Sequence, residues 1–317
     1  MLEKIFSLRE LQTQPPILID IGASGEIHSL WKKIAKYSIC IAFDADKRDF
    51  NPKGEQTSAY KKLYIYNALV AESEQKSAKF YLTKSPHCSS LLKPDTESLK
   101  DTAWASRFEI DKIIELPTTT LSSVLKKLNL SYVDWFKTDS QGIDLRLFKS
   151  LDENIIKKTL IAEFEPGIID CYEGEDKMWS VLAYMQERKD FWLSNLVIKG
   201  SQKIDEKNLN TFSKRSFWRK LVMFSLPKMA GWGEMTYLNE LKDDSDFSKR
   251  DYLLAYSFAI IIGQFGFALT TAQKAQKKFK DDIFIEMEKY ARKKMNRNVW
   301  QLKFWWAVQV KFKKWLD

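Results

Sequence analysis

The sequence predicts an α/β fold, in which helices cover both faces of a mostly parallel sheet and a helical C-terminal extension follows. Two observations support this prediction. Short apolar runs bounded by Pro or Gly alternate with amphipathic segments as far as residue 199, which is typical of parallel strands joined by helical crossovers. Beyond residue 210 the segments follow helical spacing alone. We therefore predict one domain over residues 1–212 and a helical region over residues 213–317.

The individual elements follow from the period of their apolar residues. Strands buried on both faces are short continuous apolar runs, whereas helices repeat their apolar positions about every 3.6 residues. The predicted strands are residues 17–21, 38–43, 62–70, 78–82, 132–137, 159–164 and 192–199. The predicted helices are residues 2–11, 27–37, 120–130, 144–151 and 178–189, then 213–223, 235–242, 252–273, 284–295 and 298–316.

Composition narrows the class of protein. A chain of 317 residues with 44% hydrophobic and 29% charged residues is typical of a globular protein rather than a disordered one. Cys40, Cys88 and Cys171 lie far apart, which argues against a zinc site or a disulfide framework and fits a reducing cytosol. Residues 1–16 alternate charged and apolar residues, unlike a signal peptide, so we expect a cytoplasmic protein.

A glycine turn follows the first predicted strand. Its spacing, Asp20, Gly22 and Gly25, is D-x-G-x-x-G rather than the G-x-G-x-x-G of dinucleotide folds. Ligands of such sheets bind at the carboxyl ends of the strands, and glycine lets the backbone approach them closely. The predicted ligand contacts are Asp20, Gly22, Ala23, Ser24 and Gly25. A strand, a glycine turn and a helix also occur without any ligand, so this turn alone is weak evidence.

Acidic residues follow the second strand. Asp44, Ala45 and Asp46 lie about 20 residues beyond the glycines, where a carboxylate can accept both hydroxyls of a ribose. An isolated acid at this position would more often cap a helix or lie in a solvated turn. The glycine turn at this distance favours the ribose interpretation.

Two further polar clusters end later strands. Asp139, Ser140 and Gln141 follow the strand at 132–137, while Glu163 and Glu165 end the strand at 159–164. Because the carboxyl ends of parallel strands meet at one edge, these side chains are expected to converge on one cleft. Each could instead be an ordinary loop carboxylate.

Three stretches together resemble the FkbM-type methyltransferases, a family of S-adenosylmethionine-dependent enzymes that mostly O-methylate hydroxyls of sugars and secondary metabolites. The stretches are LIDIGASGEIHSLW, then NALVAESEQKSAKFYL continuing into CSSLLKP, and TTTLSSVLKKLNLSYVDWFKTDSQGIDLRLF. They span residues 17–200, which is far more specific than one motif. Two positions depart from the family pattern: Glu26 replaces a frequent Gly, and Asp44 replaces a more frequent Glu.

The resemblance implies a Rossmann-like class I methyltransferase domain that binds S-adenosylmethionine. In this interpretation Gly22 and Gly25 admit the methionine end and Asp44 holds the ribose. Asp139 lies nearest the transferring methyl group, as the base or as the group that orients the acceptor. His87, in the loop SPHCSSL, is the rival base, and a surface loop histidine is the alternative.

Four neighbouring residues complete the predicted site. Ala45 and Ser140 are assigned to the cofactor, as is Asp139 in addition to its catalytic role, and Gln141 and Glu165 are assigned to the acceptor, a sugar, glycan or small metabolite. Two other classes of function remain open. A nucleic-acid methyltransferase is disfavoured, because TDSQG stands where an N/D-P-P-Y/F loop is usual. A non-catalytic module that only binds the cofactor is the second alternative.

A magnesium ion is a further candidate cofactor. Asp139, Glu163 and Glu165 offer carboxylate oxygens from adjacent strand ends, and Mg²⁺ prefers such ligands. Glu163 and Glu165 share one face of their strand, which could equally line a polar crevice without a metal.

The C-terminal region contains two segments with possible membrane character. Residues 252–269 carry no charge over 18 positions, the threshold for a transmembrane helix, although a buried helix is the favoured interpretation. Residues 274–317 contain 13 Lys and Arg against 5 Asp and Glu. Within them, residues 298–317 place tryptophans beside lysines, which is typical of an interfacial anchor at the inner face of a membrane. Docking on the enzyme's own surface or on a second copy in a homo-oligomer is the alternative.

Overall fold

A computed structural model describes residues 1–23, 27–48, 59–212, 215–242 and 246–316. The strands are β1 Ile17–Ile21, β2 Ile39–Phe43, β3 Lys62–Tyr66, β4 Leu69–Val70, β5 Ala78–Thr83, β6 Ile110–Leu116, β7 Thr118–Thr119, β8 Trp135–Thr138, β9 Ile161–Phe164, β10 Phe191–Lys199 and β11 Trp232–Asn239. The α-helices are α1 Leu2–Phe6, α2 Arg9–Thr13, α3 Thr96–Leu99, α4 Leu121–Lys127, α5 Asp144–Lys149, α6 Glu153–Lys158, α7 Met178–Arg188, α8 Glu206–Phe212, α9 Ser216–Ser225, α10 Lys249–Ile262, α11 Phe265–Phe279 and α12 Asp282–Leu316.

Seven strands form one sheet in the order β10-β11-β9-β8-β1-β2-β3. Its five strands from β9 to β3 are parallel, and β11 runs antiparallel between β9 and β10. The chain starts at the central β1, builds outward through β2 and β3, and then returns to β8 on the other side of β1. The strand order thus reverses beside β1, which is where such sheets bind ligands. The predicted fold class is confirmed.

The core explains why the central strands are apolar runs. All five residues of β1 are buried, because the sheet is covered on both faces. The rings of Phe136 on β8, Phe148 on α5 and Phe164 on β9 lie within 5.1–6.3 Å of one another and fill the space beside the sheet. This packing fixes the carboxyl ends of β1, β8 and β9 relative to one another.

The helix predicted over residues 235–242 is wrong, since residues 232–239 form β11. This strand pairs with β9 on one side and β10 on the other. Gly233, Met235 and Tyr237 are buried, while Glu234 and Thr236 between them are half-buried, so the segment has the period of a strand. The sheet therefore continues beyond the domain boundary predicted at residue 212.

Two smaller differences lie near the site. Residues 27–37, predicted to be an α-helix, form two 3-10 helices, Ser29–Lys33 and Ala35–Tyr37. β6 was not predicted; it pairs antiparallel with β5. Most of its side chains are exposed, so it lacks the buried alternation that identifies a strand in a sequence.

The chain folds into two compact units, residues 16–242 and residues 1–15 with 243–317. In the second unit, α10 is buried over most of its length and ends at Gly263, whose φ is +85°. The predicted helix at 252–273 is therefore two helices. Among the described residues, no helix is both long and apolar enough to cross a membrane. The two predicted helices at 284–295 and 298–316 are one, α12.

Candidate active site

A cavity of about 600 Å³ opens at the carboxyl ends of β1, β2 and β8, and we call it the strand-end cavity. Seven of the predicted site residues line it: Gly22, Asp44, Ala45, His87, Asp139, Ser140 and Gln141. Apolar side chains complete the wall, among them Val70, Phe80 and Leu91. The structure thus brings together the polar residues that the sequence placed after three separate strands.

Gly22 is held against the backbone of Asp139. Its φ is +78°, and its amide donates to the carbonyl of Phe43 at 3.0 Å. A Cβ added to Gly22 would lie 2.1 Å from the carbonyl oxygen of Asp139. Ala23 is buried beside it and donates to the same carbonyl of Phe43. The predicted contacts Ser24 and Gly25, and the unexplained Glu26, lie outside the described residues.

Gly22→Ala is expected to weaken both the fold and cofactor binding. The new Cβ meets a backbone oxygen, and an L-residue with positive φ adds about 1–2 kcal/mol of strain. Gly174→Ala is the matched control, because Gly174 has a φ of +73° but no atom within 4 Å of its Cβ position. Thermal unfolding should show a larger loss for Gly22→Ala. Equal losses would mean that the contact with Asp139 has no effect.

Asp44 and Asp46 form the polar wall after β2. Asp44 is 9% exposed, and one of its oxygens accepts from the amide of Asp46 at 2.8 Å. Asp46 pairs with Arg48 at 2.6 Å and accepts from the Ser89 hydroxyl at 2.9 Å. Burial opposes the ionisation of Asp46, but the bonds from Arg48 and Ser89 outweigh it and lower the pKa of Asp46. Asp46 thereby joins the loop after β2 to the loop of residues 85–91.

Asp144, which the sequence analysis did not single out, joins the ends of β8 and β9. It is 1% exposed and accepts from the Ser140 amide at 2.8 Å and from the Glu165 amide at 2.7 Å. It also accepts from the hydroxyls of Ser140 and of Thr138. One buried carboxylate therefore fixes the positions of Ser140 and Glu165.

Gln141 connects Asp139 to Tyr172. Its Nε2 donates to a carboxylate oxygen of Asp139, and its Oε1 lies 2.8 Å from the hydroxyl of Tyr172. That hydroxyl also lies 2.9 Å from the carbonyl of Cys88, so it can donate to either acceptor. These bonds hold the Asp139 carboxylate in one orientation at the cavity wall.

Lys137 provides the positive charge of the site. Its Nζ lies 3.0 Å from Oδ1 of Asp20, a fully buried residue whose Oδ2 accepts from the His28 amide at 2.8 Å. Asp20, which was predicted to contact the cofactor, is not among the residues that line the strand-end cavity, and its carboxylate pairs with Lys137. Burial alone would lower the pKa of Lys137. The carboxylates of Asp20, Asp139 and Glu165 outweigh burial and raise it, so Lys137 stays charged.

Asp139 and Glu165 share this positive charge. Burial raises the pKa of both carboxyl groups above the usual range, the negative charge of Asp144 raises the pKa of Asp139 further, and the charge of Asp139 raises that of Glu165. Lys137 opposes the shift in both. The net rise in pKa is larger for Glu165 than for Asp139. As the pH increases, Asp139 therefore ionises first and Glu165 keeps its proton to higher pH.

A second cavity, of about 980 Å³, lies next to the first, and we call it the aromatic cavity. Its lining includes Trp104, Phe108, Tyr172 and Trp232, together with the polar residues Arg107, Glu165 and Glu175. The rings of Trp104 and Trp232 stack with centroids 5.2 Å apart. His87, Asp139 and Gln141 line both cavities, so they lie where the two meet.

The predicted magnesium ligands do not form a metal site. Glu163 accepts from the indole of Trp135 at 3.1 Å and lies 3.1 Å from Nε2 of His28, whereas Glu165 and Asp139 line the aromatic cavity. The strand ends at residue 164, so Glu165 does not continue its alternation. In the described part of the chain, no three His, Cys, Asp or Glu side chains are placed to hold a metal ion.

The comparison with protein families gives one finding. The family model described as the methyltransferase FkbM domain matches residues 24–191, which is more than half of the chain. This range contains the ends of β2, β8 and β9 and most residues of both cavities. Neither a curated protein nor a solved structure matches the chain.

Proposed function

We propose that this chain methylates a hydroxyl group of a sugar, a glycan or a small metabolite. It belongs to the methyltransferase FkbM family and is therefore an S-adenosylmethionine-dependent methyltransferase. The observation that supports this proposal is the junction of two cavities. His87, Asp139 and Gln141 line both of them. A proton acceptor is therefore present where a cofactor in one cavity and an acceptor in the other would meet.

The strand-end cavity has the chemistry that the cofactor requires. Asp44 would accept hydrogen bonds from the ribose hydroxyls. The backbone at Gly22, which carries no Cβ, would leave room for the methionine end, and the apolar wall at Val70, Phe80 and Leu91 would contact the adenine. Bound S-adenosylmethionine supplies a methyl group on a sulfonium sulfur, which an acceptor oxygen can attack directly. The protein's own task is to orient that oxygen and remove its proton.

Asp139 is the residue that we assign as the base. Its pKa is raised toward neutral pH, and a general base is most effective when its pKa lies near the pH at which the enzyme works. Gln141 holds the carboxylate by a hydrogen bond, and Lys137 keeps it ionised. Protonated Glu165, on the wall of the aromatic cavity, can donate to an oxygen of the acceptor. His87 at the same junction is the alternative base.

The aromatic cavity favours a ring that carries hydroxyl groups. The stacked rings of Trp104 and Trp232 offer a flat apolar wall, and Arg107 and Glu165 supply polar contacts. Trp104 Nε1 is buried and has no hydrogen-bond acceptor among the described residues. A buried donor without an acceptor is unusual in a protein and suits an oxygen of a bound acceptor.

Trp232→Leu is expected to raise the KM for the acceptor about tenfold, since an aromatic stacking surface contributes about 0.5–1.5 kcal/mol beyond its buried area. The affinity for S-adenosylmethionine, measured by calorimetry, should stay unchanged because Trp232 lines only the aromatic cavity. Trp179→Leu is the control, as Trp179 is 57% exposed and lines neither cavity. An unchanged KM in Trp232→Leu would contradict the assignment of this cavity to the acceptor.

The function itself can be tested by product analysis. The protein is incubated with isotope-labelled S-adenosylmethionine and a panel of sugars, glycans and hydroxylated metabolites, with amines included for comparison. We expect labelled O-methyl products and none on nitrogen. Methylation of amines alone would refute the proposal, and calorimetry that detects binding of S-adenosylmethionine without any labelled product would favour the non-catalytic module.

A further inference from the structure

The segment between β10 and β11 exposes an apolar helix face. On α9, Phe217, Leu221 and Phe224 follow one another at helical spacing and are 66%, 42% and 86% exposed, and the adjacent Trp218 is 51% exposed. An ordinary surface helix turns its apolar stripe toward the core. Phe212 at the end of α8 is 69% exposed and extends the same surface. We call these five side chains the α9 surface.

The orientation of α9 follows from how its other side is held. Gln202 is 5% exposed, and its side-chain amide donates to the carbonyl of Met223 at 2.7 Å. Val222 and Met223 are half-buried on that inner side. Arg219 donates to the side chain of Asn210 on α8. The inner side of α9 thus packs against Gln202 and α8, and the larger apolar residues of the helix point to solvent.

The sequence of this segment is basic. Residues 212–229 contain five basic residues and no Asp or Glu: Arg215, Arg219, Lys220, Lys228 and Lys214, the last of which lies outside the described residues. Glu206, at the start of α8, is half-buried and lines the same pocket as Arg219 and Lys220. Aromatic and aliphatic side chains beside lysine and arginine are typical of helices that lie in the interface of an anionic membrane. A second copy of the chain would bring like charges together, and a nucleic acid would leave the aliphatic groups in water.

We propose that the α9 surface docks on bilayers that contain anionic lipids. The phenylalanines and Leu221 would enter the boundary between headgroups and acyl chains, while Lys220 and Lys228, both exposed, would contact anionic headgroups. This surface belongs to the compact unit of residues 16–242, as both cavities do, whereas the tail at 298–317 belongs to the other unit.

The α9 surface is also linked to the aromatic cavity. Gln202, which holds α9, accepts from the Ala103 amide at 3.1 Å through its backbone carbonyl. The next residue, Trp104, forms a wall of the aromatic cavity. Provided that the proposed function is correct, a membrane-docked enzyme would therefore methylate a hydroxyl group of a lipid-linked molecule or of a lipid headgroup. This step rests on the proposed function, whereas docking does not.

Vesicle binding by the full chain tests the docking. Flotation is measured with phosphatidylcholine vesicles that contain or lack phosphatidylglycerol. We expect binding to the anionic vesicles, and at least about tenfold weaker partitioning for Phe217→Ser/Phe224→Ser, because two large apolar groups are lost. Lys220→Gln/Lys228→Gln should weaken binding about fivefold for each charge, on anionic vesicles only. Both variants replace exposed side chains, so their thermal unfolding should match that of the wild type.

Two further variants separate this surface from others. Trp179→Ser removes an aromatic side chain that is 57% exposed on α7, and it should leave partitioning unchanged. Trp300→Ser removes one that is 71% exposed in the predicted tail anchor at 298–317, so it measures the contribution of the tail, and the α9 variants should weaken partitioning with or without it. Wild-type partitioning by Phe217→Ser/Phe224→Ser would overturn the proposal, as would a dimer or a nucleic-acid complex that this variant abolishes. Vesicle binding without any methyl transfer would support docking and refute only the proposed function.

Discussion

Replacing Asp139 by Asn is expected to lower kcat by about 10²–10⁴-fold, the usual contribution of a positioned general base. The substitution keeps the shape of the side chain, and the Oδ1 of Asn can accept the same hydrogen bond from Nε2 of Gln141. It removes the group that would take the acceptor proton at the junction of the two cavities. Calorimetry should show that S-adenosylmethionine still binds, because Gly22 and Asp44 are unchanged.

The pH profile distinguishes Asp139 from His87. A general base is active when deprotonated, so kcat/KM falls as the pH drops through its pKa. Burial and the neighbouring Asp144 raise the pKa of Asp139, so the midpoint of the acidic limb should lie at a higher pH than the pKa of an ordinary aspartate. Asp139→Asn should abolish this limb. If the limb persists and His87→Gln removes it, His87 is the base.

A control with the same chemistry comes from Asp111, whose side chain is 64% exposed and lines neither cavity. Asp111→Asn changes one carboxylate to an amide on the surface, so kcat and the pH profile should both stay as in the wild type. Full turnover by Asp139→Asn would show that Asp139 orients nothing essential and accepts no proton.

The positions of the candidate site residues were predictable because they follow strands. Parallel strands place their carboxyl ends at one edge, so Asp44 and Asp139 could be assigned to one cleft from the apolar runs before them. Asp20 could not be placed in this way. It lies within β1, and its carboxylate is directed to the His28 amide and Lys137, contacts that depend on how residues 28 and 137 pack.

The aromatic cavity could not be predicted from periodicity. Trp104 and Tyr172 lie outside the helices and strands, where no repeat indicates which side is buried. Trp232 begins β11, a strand whose alternation was mistaken for a helix. Lys137 could have been identified from the sequence. It is a charged residue within the apolar run predicted as the strand at 132–137, and a charged residue in a buried strand is rare unless it has a partner.

Lys137→Met is expected to destabilise the fold by about 3–5 kcal/mol, the usual effect of removing one member of a buried ion pair. Lys137 is 15% exposed at its side chain and Asp20 is 0% exposed, so Asp20 would remain buried with no cation 3.0 Å away. Denaturant unfolding measures the loss. Lys84→Met is the control, because Lys84 pairs with Glu109 at an exposed position and its removal should have no measurable effect.

The pH dependence of this loss tests its electrostatic origin. Without Lys137, the folded-state pKa values of Asp139 and Glu165 should rise, because Lys137 lowers both in the wild type. A carboxyl whose folded pKa exceeds its unfolded pKa binds more protons in the folded state, so folding is favoured as the pH falls. The deficit of Lys137→Met should thus shrink toward acidic pH, and Asp20→Asn/Lys137→Met should recover part of it at neutral pH. A deficit that is constant with pH and additive in the double variant would mean that Lys137 stabilises the site by packing rather than by charge.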